Sequence, residues 1–334
     1  AVENGRLHRQ LARKQGNELQ EDYILGSSRG IQEIMTAIDK VSGSDAPILI
    51  LGETGTGKSM IAKLIHKKSQ RADKPLFTID CTTLAETLLE SELFGHAKGA
   101  FTGAHINKRG LLEDAHGGTV LLDEIGELSP NTQVKLLRAL QEHEIKPVGS
   151  NKTVQIDVRF ICATSRDLEK EIEEKRFRKD LYFRLAVIPF ILPSLRERTF
   201  DIPLFTSHFL KKYNQKYRKN ITRIEPAVLM ELQDSPWKGN IRELENTIER
   251  MVLLAENDVV TRDLLTFNAV GRENTAIPDR GPSLKSLKDV VEDAEKHAIT
   301  RMLEITQGNR THAAKNLGIG RRTLYDKMET YGIQ

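Results

Sequence analysis

The octapeptide Gly52-Glu-Thr-Gly-Thr-Gly-Lys-Ser59 follows the apolar run Pro47-Ile-Leu-Ile-Leu51 and precedes a helix-patterned stretch at residues 60–68. It fits G-x-x-x-x-G-K-S/T in the strand–turn–helix context that gives this pattern its meaning. The glycines let successive backbone N–H groups turn inward around phosphate oxygens, and the helix N-terminus adds partial positive charge. Gly52, Glu53, Thr54, Gly55, Thr56, Gly57, Lys58, Ser59 and Met60 are therefore the candidate nucleotide-binding set. Lys58 is expected to reach the β- and γ-phosphates, and the Ser59 hydroxyl to ligate Mg²⁺. A Gly-rich turn that binds nothing is the plain alternative, and the flanking strand and helix argue against it. A chain built on such a unit is constrained to an α/β core.

Further along, Thr119-Val-Leu-Leu-Asp123-Glu124 is an apolar strand pattern ending in two carboxylates. One carboxylate there would serve merely as a helix cap. Two, downstream of a phosphate loop, divide the work: Asp123 holds hydrated Mg²⁺ and Glu124 orients and polarises the attacking water. Hydrolysis is the expected chemistry, because no separate acceptor-binding motif is evident. Strand patterns at 76–81, 119–122 and 158–163 alternate with helical ones, as in a parallel sheet covered on both faces. From about residue 194 the patterns are only helical, and residues 270–282 read as a linker through Gly271, Pro278, Gly281 and Pro282. The expected division is 1–22 lead-in helix, 23–193 α/β subdomain, 194–269 helical subdomain, 270–283 linker and 284–334 helical domain. In the lead-in, Leu7, Leu11 and Leu19 share a helical face, which fits a solvated or a dimerising helix. The chain starts within that pattern and without Met, as expected if an upstream domain has been cut away.

Composition sets broad limits. Lys and Arg number 50 against 47 Asp and Glu, a net +3 too balanced to announce nucleic-acid binding by itself. With 39% hydrophobic and 29% charged residues the chain is not predominantly disordered. No apolar run approaches the roughly 18 residues of a membrane span, and the N-terminus lacks a secretory apolar segment, so a cytoplasmic protein without membrane contact is expected. Cys81 and Cys162 are the only cysteines, which excludes a disulfide scaffold and a Cys-based zinc site.

The phosphate loop and paired carboxylates resemble those of AAA+ ATPases. Glu92-Leu-Phe-Gly-His-Ala-Lys-Gly99-Ala-Phe-Thr-Gly-Ala104 contains the hexapeptide GAFTGA, which narrows the resemblance to bacterial enhancer-binding proteins, the nitrogen-regulatory-protein-C-like activators of sigma-54 RNA polymerase. The resemblance implies an α/β AAA+ P-loop NTPase core with a parallel sheet, a helical lid, and a C-terminal all-α helix-turn-helix domain. It makes Gly99, Ala100, Phe101, Thr102, Gly103 and Ala104 the sigma-factor contact. Physically, two glycines give a mobile loop, and Phe101 and Thr102 present an apolar ring and a hydroxyl. A second partner-facing loop falls at residues 144–151.

The same resemblance places Ile24 and Leu25 on the adenine side, Ser165 in sensor I and Arg242 in the sensor II helix near the γ-phosphate. Arg178 and Arg184 would be arginine fingers completing a neighbour's site; taken alone, either is more often a solvated cation. ATP and Mg²⁺ are the implied cofactors. The partners are sigma-54 RNA polymerase holoenzyme, an enhancer-like stretch of double-stranded DNA, and further copies of the chain, from a dimer to a ring of six or seven. Four departures stand out. Asp80 occupies the position of an Asn that pairs with the catalytic Glu, so contact with Glu124 would set two like charges together and couple their titration. Ser165 replaces the common Asn, with shorter reach. Ser59 replaces a frequent Glu, and Lys238 a usual Pro.

Near the C-terminus an amphipathic pattern at 287–303 is followed by Thr311-His-Ala-Ala-Lys-Asn-Leu317, the turn Gly318-Ile-Gly320 and Arg321-Arg-Thr-Leu-Tyr-Asp-Lys-Met-Glu-Thr-Tyr331. Two short helices around a Gly-containing turn form a helix-turn-helix. Residues 308–334 carry five Lys/Arg against two acids, a surplus equal to that of the whole chain and clustered where the second helix starts. The segment resembles the Fis-type DNA-binding domain, with Thr311, Arg321, Arg322, Thr323, Tyr325 and Lys327 as candidate contacts; a helical module with solvated cations is the alternative. Two rival functions remain. An AAA+ remodeller or DNA motor not acting on sigma-54 would be expected to carry an aromatic-hydrophobic-Gly pore loop rather than GAFTGA. A repressor with a dead ATPase site would lack the Lys58, Asp123 and Glu124 set.

Overall fold

The computed structural model describes residues 26–266, 295–296, 299–300, 302–303, 306 and 309–331. Ile24 and Leu25, the lead-in at 1–22, the linker at 270–283 and most of the 287–303 pattern lie outside the described residues. The chain forms two compact units, residues 1–267 and 268–334.

In the first unit, α1 (Arg29–Val41) leads to β1 (Ile48–Leu51), and the phosphate loop to α2 (Lys58–Lys67). Then come β2 (Leu76–Asp80), α3 (Glu86–Phe94), β3 (Thr119–Asp123), α4 (Pro130–Glu142), β4 (Arg159–Thr164), α5 (Leu168–Glu173), α6 (Lys179–Leu185) and β5 (Ile188–Ile191). The five strands pair in parallel in the order β2-β3-β4-β1-β5. Each central strand is apolar on both faces because both are covered. Ile48, Ile50, Leu121, Ile161 and Ala163 pack with Ile31, Ile38, Ile61 and Ile65 of α1 and α2. Leu49, Val120, Leu122, Phe160 and Cys162 face the opposite layer, with Leu93, Phe94, Leu136 and Leu181. The larger of these side chains contribute about 1.5–3 kcal/mol each when fully buried.

Strand β5 was not among the expected strands. Pro189 interrupts its pattern, and the strand tolerates Pro because it is an edge, paired only with β1 through Leu49↔Pro189. The expected helical subdomain contains α7 (Ile202–Tyr217), α8 (Pro226–Asp234) and α9 (Asn240–Leu254), packed around Phe205, Phe209, Trp237, Leu244 and Ile248. A short parallel pairing of Arg223–Ile224 with Val259–Val260 interrupts the helices, too brief to leave a sequence pattern.

In the second unit α10 (Arg310–Asn316) and α11 (Arg321–Tyr331) pack through Ala313, Ala314, Leu324 and Met328 against Ile299 and Leu303. Asn309 caps α10 by accepting from the His312 N–H at 3.2 Å, and Gly318 turns the chain with φ 70°.

Candidate nucleotide site, partner loops and DNA-binding helices

Strand order brings the candidate residues together. The phosphate loop leaves the end of β1 and the carboxylates leave the end of β3, with β4 between them. Ligands of open α/β sheets sit at these carboxyl ends. Ser59 Oγ donates to Asp123 Oδ2 at 2.7 Å. A hydroxyl and a carboxylate oxygen side by side are the hard donors Mg²⁺ takes alongside waters and phosphates, so the pair fits that ion. Lys58, buried, donates to the Gly52 and Glu53 carbonyls at 3.0 and 3.4 Å and lies 3.2 Å from Glu124 Oε1. Glu124 itself has φ 53° and ψ 49°, a left-handed conformation rare outside Gly and Asn. Strain of this kind costs about 1–3 kcal/mol and persists where surrounding contacts over-determine it.

The other Glu124 oxygen, Oε2, accepts from Ser165 N–H at 2.8 Å and Ser165 Oγ at 2.9 Å. Asp80 does not bond Glu124. Its Oδ1 accepts from the Thr82 N–H at 2.8 Å and from Thr82 Oγ1 at 2.6 Å, closing a tight turn after β2. Asp80 and Glu124 thus keep two separate sets of bonds, an arrangement that keeps like charges out of direct contact.

The lid holds the phosphate loop by a set of residues that motif matching passed over. Asn240 is fully buried with φ 53° and opens α9. Its Nδ2 donates to Thr54 O at 3.0 Å and to Glu53 Oε2 at 3.1 Å, and its Oδ1 accepts from Leu195 N–H at 2.7 Å. Ile241 N–H donates to Gly55 O at 2.9 Å, and Arg198, buried, donates Nη2 to Thr56 O at 2.8 Å. Gly55 has φ 80°, and a Cβ there would lie 2.2 Å from Gly239 O, so only Gly allows this approach. Arg242 is exposed, with its Cβ 3.2 Å from that same point. The signal in the sequence was the Gly-Asn before Ile241, a buried turn rather than a charge.

Arg196 pairs with Glu53, Nη1 to Oε2 at 2.8 Å, and with Asn240 it holds the Glu53 carboxyl down at about 2. A carboxyl whose folded pKa is depressed adds stability that is present above its ordinary value and fades as pH falls toward 2. Glu53→Gln should therefore lose less melting temperature than the parent between pH 5 and pH 3. Because the carboxylate is half-exposed, the difference should be only about a degree or two. Equal losses in the two proteins would show that this lid contact carries no pH dependence.

The two finger candidates make their bonds away from the phosphate loop. Arg178 forms a forked pair with Asp180 at 3.0 and 2.6 Å, and Arg184 donates to Leu140 O at 3.1 and 3.3 Å. Beside them Phe183 is 64% exposed, over a shallow cleft of about 520 Å³.

The GAFTGA loop leaves a short antiparallel pairing of Gly95–His96 with Lys108–Arg109. Gly99 N–H donates to Ala104 O at 2.8 Å across the loop, with φ 83° at Gly99 and 105° at Gly103. Thr102 and Gly103 are exposed, Ala104 is buried and Ala100 half-buried. Phe101 departs from expectation. Its ring is half-buried, edge-on to His96 with centroids 5.0 Å apart, so the tip presents Thr102 rather than the aromatic ring. The second loop joins the first: Ala97 N–H donates to Val148 O and Val148 N–H to Gly95 O, both at 2.9 Å, and a Cβ at Gly149 would touch Ala100.

In the second unit Thr311, Arg321, Arg322, Thr323 and Tyr325 are exposed, with Arg310 stacked 5.3 Å over the Tyr325 ring. Lys327 corrects the expectation. Its ammonium pairs with Glu295, which also accepts from Tyr331 Oη at 2.5 Å, so it joins α11 to the preceding helical residues instead of standing free for DNA.

The family model described as the Sigma-54 interaction domain matches residues 24–191. The chain belongs to the bacterial enhancer-binding proteins. These sigma-54-dependent activators are AAA+ ATPases, and two further models match here, the AAA+ ATPase lid domain at 196–280 and the Fis-family bacterial regulatory protein at 290–331. The transcriptional regulatory protein ZraR of Salmonella typhi is 46% identical over 305 residues, spanning 91% of this chain and 68% of that protein. The regulatory protein AtoC of Escherichia coli K12 is 43% identical over 318 residues, 93% of this chain and 68% of its own length. Among solved structures, NtrX of Brucella abortus in complex with ADP superposes with a TM-score of 0.77 at 31% identity, covering 99% of this chain and 74% of that one. As an enhancer-binding protein the chain is a transcriptional activator with sigma-54 and DNA as partners. No helix among the described residues is long and apolar enough to cross a membrane.

Proposed function

We propose that this activator binds an enhancer-like site as a dimer through α11, assembles a ring of six or seven copies through its AAA+ unit, and uses ATP hydrolysis to remodel the closed complex of sigma-54 RNA polymerase holoenzyme. The observation that carries this reading is the backbone bridge between the GAFTGA loop and residues 144–151, which makes one working surface of the two loops. Residues 23–193, 194–269 and 284–334 would serve as ATPase core, lid and DNA-binding domain. Transcription from a sigma-54 promoter carrying the bound site, with ATP or with a non-hydrolysable analogue, tests it. Equal open-complex formation with both nucleotides would refute it.

Within one subunit, Lys58 and the loop N–H groups would bind the phosphates, and Ser59 and Asp123 would hold Mg²⁺, which when bound would supply positive charge against the phosphate oxygens. Glu124 takes the proton of the attacking water. Arg178 and Arg184 serve the neighbouring subunit, where a cation offsets transition-state charge; Arg178 must first leave Asp180. Turnover per subunit should therefore rise with protein concentration, and Arg184→Ala should lower it by at least about 10³-fold, the lower end for a trans-acting arginine. Mixing Arg184→Ala with Glu124→Gln subunits should restore activity, because one mixed interface pairs an intact finger with an intact base. Concentration-independent turnover, or no recovery on mixing, would remove both arginines from this role.

A further inference from the structure

The two oxygens of the Glu124 carboxylate are held by different parts of the fold. Oε2 accepts from the Ser165 N–H at 2.8 Å and from Ser165 Oγ at 2.9 Å, with Thr164 Oγ1 at 3.5 Å. Oε1 faces Lys58 Nζ at 3.2 Å, an ammonium that also serves two loop carbonyls. Topology explains the division. β4 runs between β3 and β1, so the residue following it opens between the carboxylate and the phosphate loop. β2 lies beyond β3 at the sheet edge, and Asp80 at its end is bonded to Thr82.

We propose that Ser165 is the positioning residue for Glu124: it anchors Oε2 and so leaves Oε1 as the oxygen that works on water. The inference rests on reading Glu124 as the base. A carboxylate fixed at one oxygen by a hydroxyl and a backbone N–H cannot turn about its last torsion, and its second oxygen keeps one direction. Lys58 shares that second oxygen, and phosphate oxygens compete for the same ammonium, so nucleotide binding and release of Oε1 are one event. Asp80 is unsuited to the anchoring role, because a carboxylate has no hydrogen to donate unless it is protonated. The serine supplies the donor that the aspartate lacks, and the two departures from the family pattern compensate each other.

The test compares Ser165→Ala, Ser165→Thr and Asp80→Asn in the full chain by ATP turnover, by binding of a fluorescent ATP analogue, and by melting of the nucleotide-free protein. Ser165→Ala should lower kcat about 10-fold while KM and analogue affinity change less than about twofold, since only the orientation of the base is lost. Ser165→Thr, which keeps the hydroxyl, should recover most of that rate. In nucleotide-free melts, a double-mutant cycle of Ser165→Ala with Glu124→Ala should show coupling, because the two side chains touch. Asp80→Asn should lower kcat less than Ser165→Ala does. The proposal is overturned if Ser165→Ala keeps kcat within about twofold, if threonine fails to rescue it, or if Asp80→Asn has the larger effect. A Glu124→Gln protein with parental turnover, alongside intact coupling in the melts, would instead remove Glu124 as the base.

Discussion

Glu124→Gln should bind ATP with near-parental affinity and hydrolyse it at least about 10²-fold more slowly, the lower end of what a general base contributes. The amide keeps the size of the side chain and can still accept the Ser165 N–H, so the site should stay folded around it. What it loses is the negative charge that draws a proton from water and that faces Lys58 at 3.2 Å. Lys58→Ala should fail in the opposite way, at binding, because its ammonium is buried among the loop carbonyls at the point where phosphate charge must be met. Analogue binding and single-turnover hydrolysis separate the two. If both variants bind ATP equally and only Lys58→Ala is slow, the base lies elsewhere.

Thr102→Ala should abolish open-complex formation while leaving DNA binding and ATP turnover close to the parent. Thr102 stands exposed at the loop tip, and Phe101 beside it is already engaged with His96, so losing the hydroxyl removes a presented group without unpacking the loop. The double variant Arg321→Ala/Arg322→Ala should show the converse. Both side chains are exposed at the start of α11. An arginine that reads a base edge is worth about 1–3 kcal/mol of affinity, and one that meets a phosphate steepens the salt dependence, so the double variant should bind more weakly and respond less to salt. ATP turnover should survive, since the two arginines lie in the compact unit that begins after residue 267. Side-by-side assays of DNA binding, turnover and promoter opening decide it. Normal opening by Thr102→Ala would mean that the loop is not the working contact.

The phosphate loop, the paired carboxylates, the GAFTGA loop and the terminal helix pair were legible in the sequence because each is a local object. Its function needs neighbours along the chain, so spacing and residue type carry the message. β1, β3 and β4 were legible for a related reason: a strand buried on both faces must be apolar throughout. What the sequence left open was which distant elements meet. Pro189 hid β5, which is stable only because β1 supplies its partner. Asn240 looked like part of a turn, yet it is a buried clamp on Thr54 and Glu53 because the lid brings α9 against the loop. Lys327 counted as a free cation until folding set Glu295 beside it. Asp80 and Ser165 were both readable as departures, but which of them meets Glu124 was decided only in the folded site. β2 and β4 both flank β3, with Asp80 level with Asp123, yet Ser165 brings an N–H and an O–H to the carboxylate while Asp80 accepts from Thr82, a choice made by contacts across the sheet that no spacing along the chain encodes.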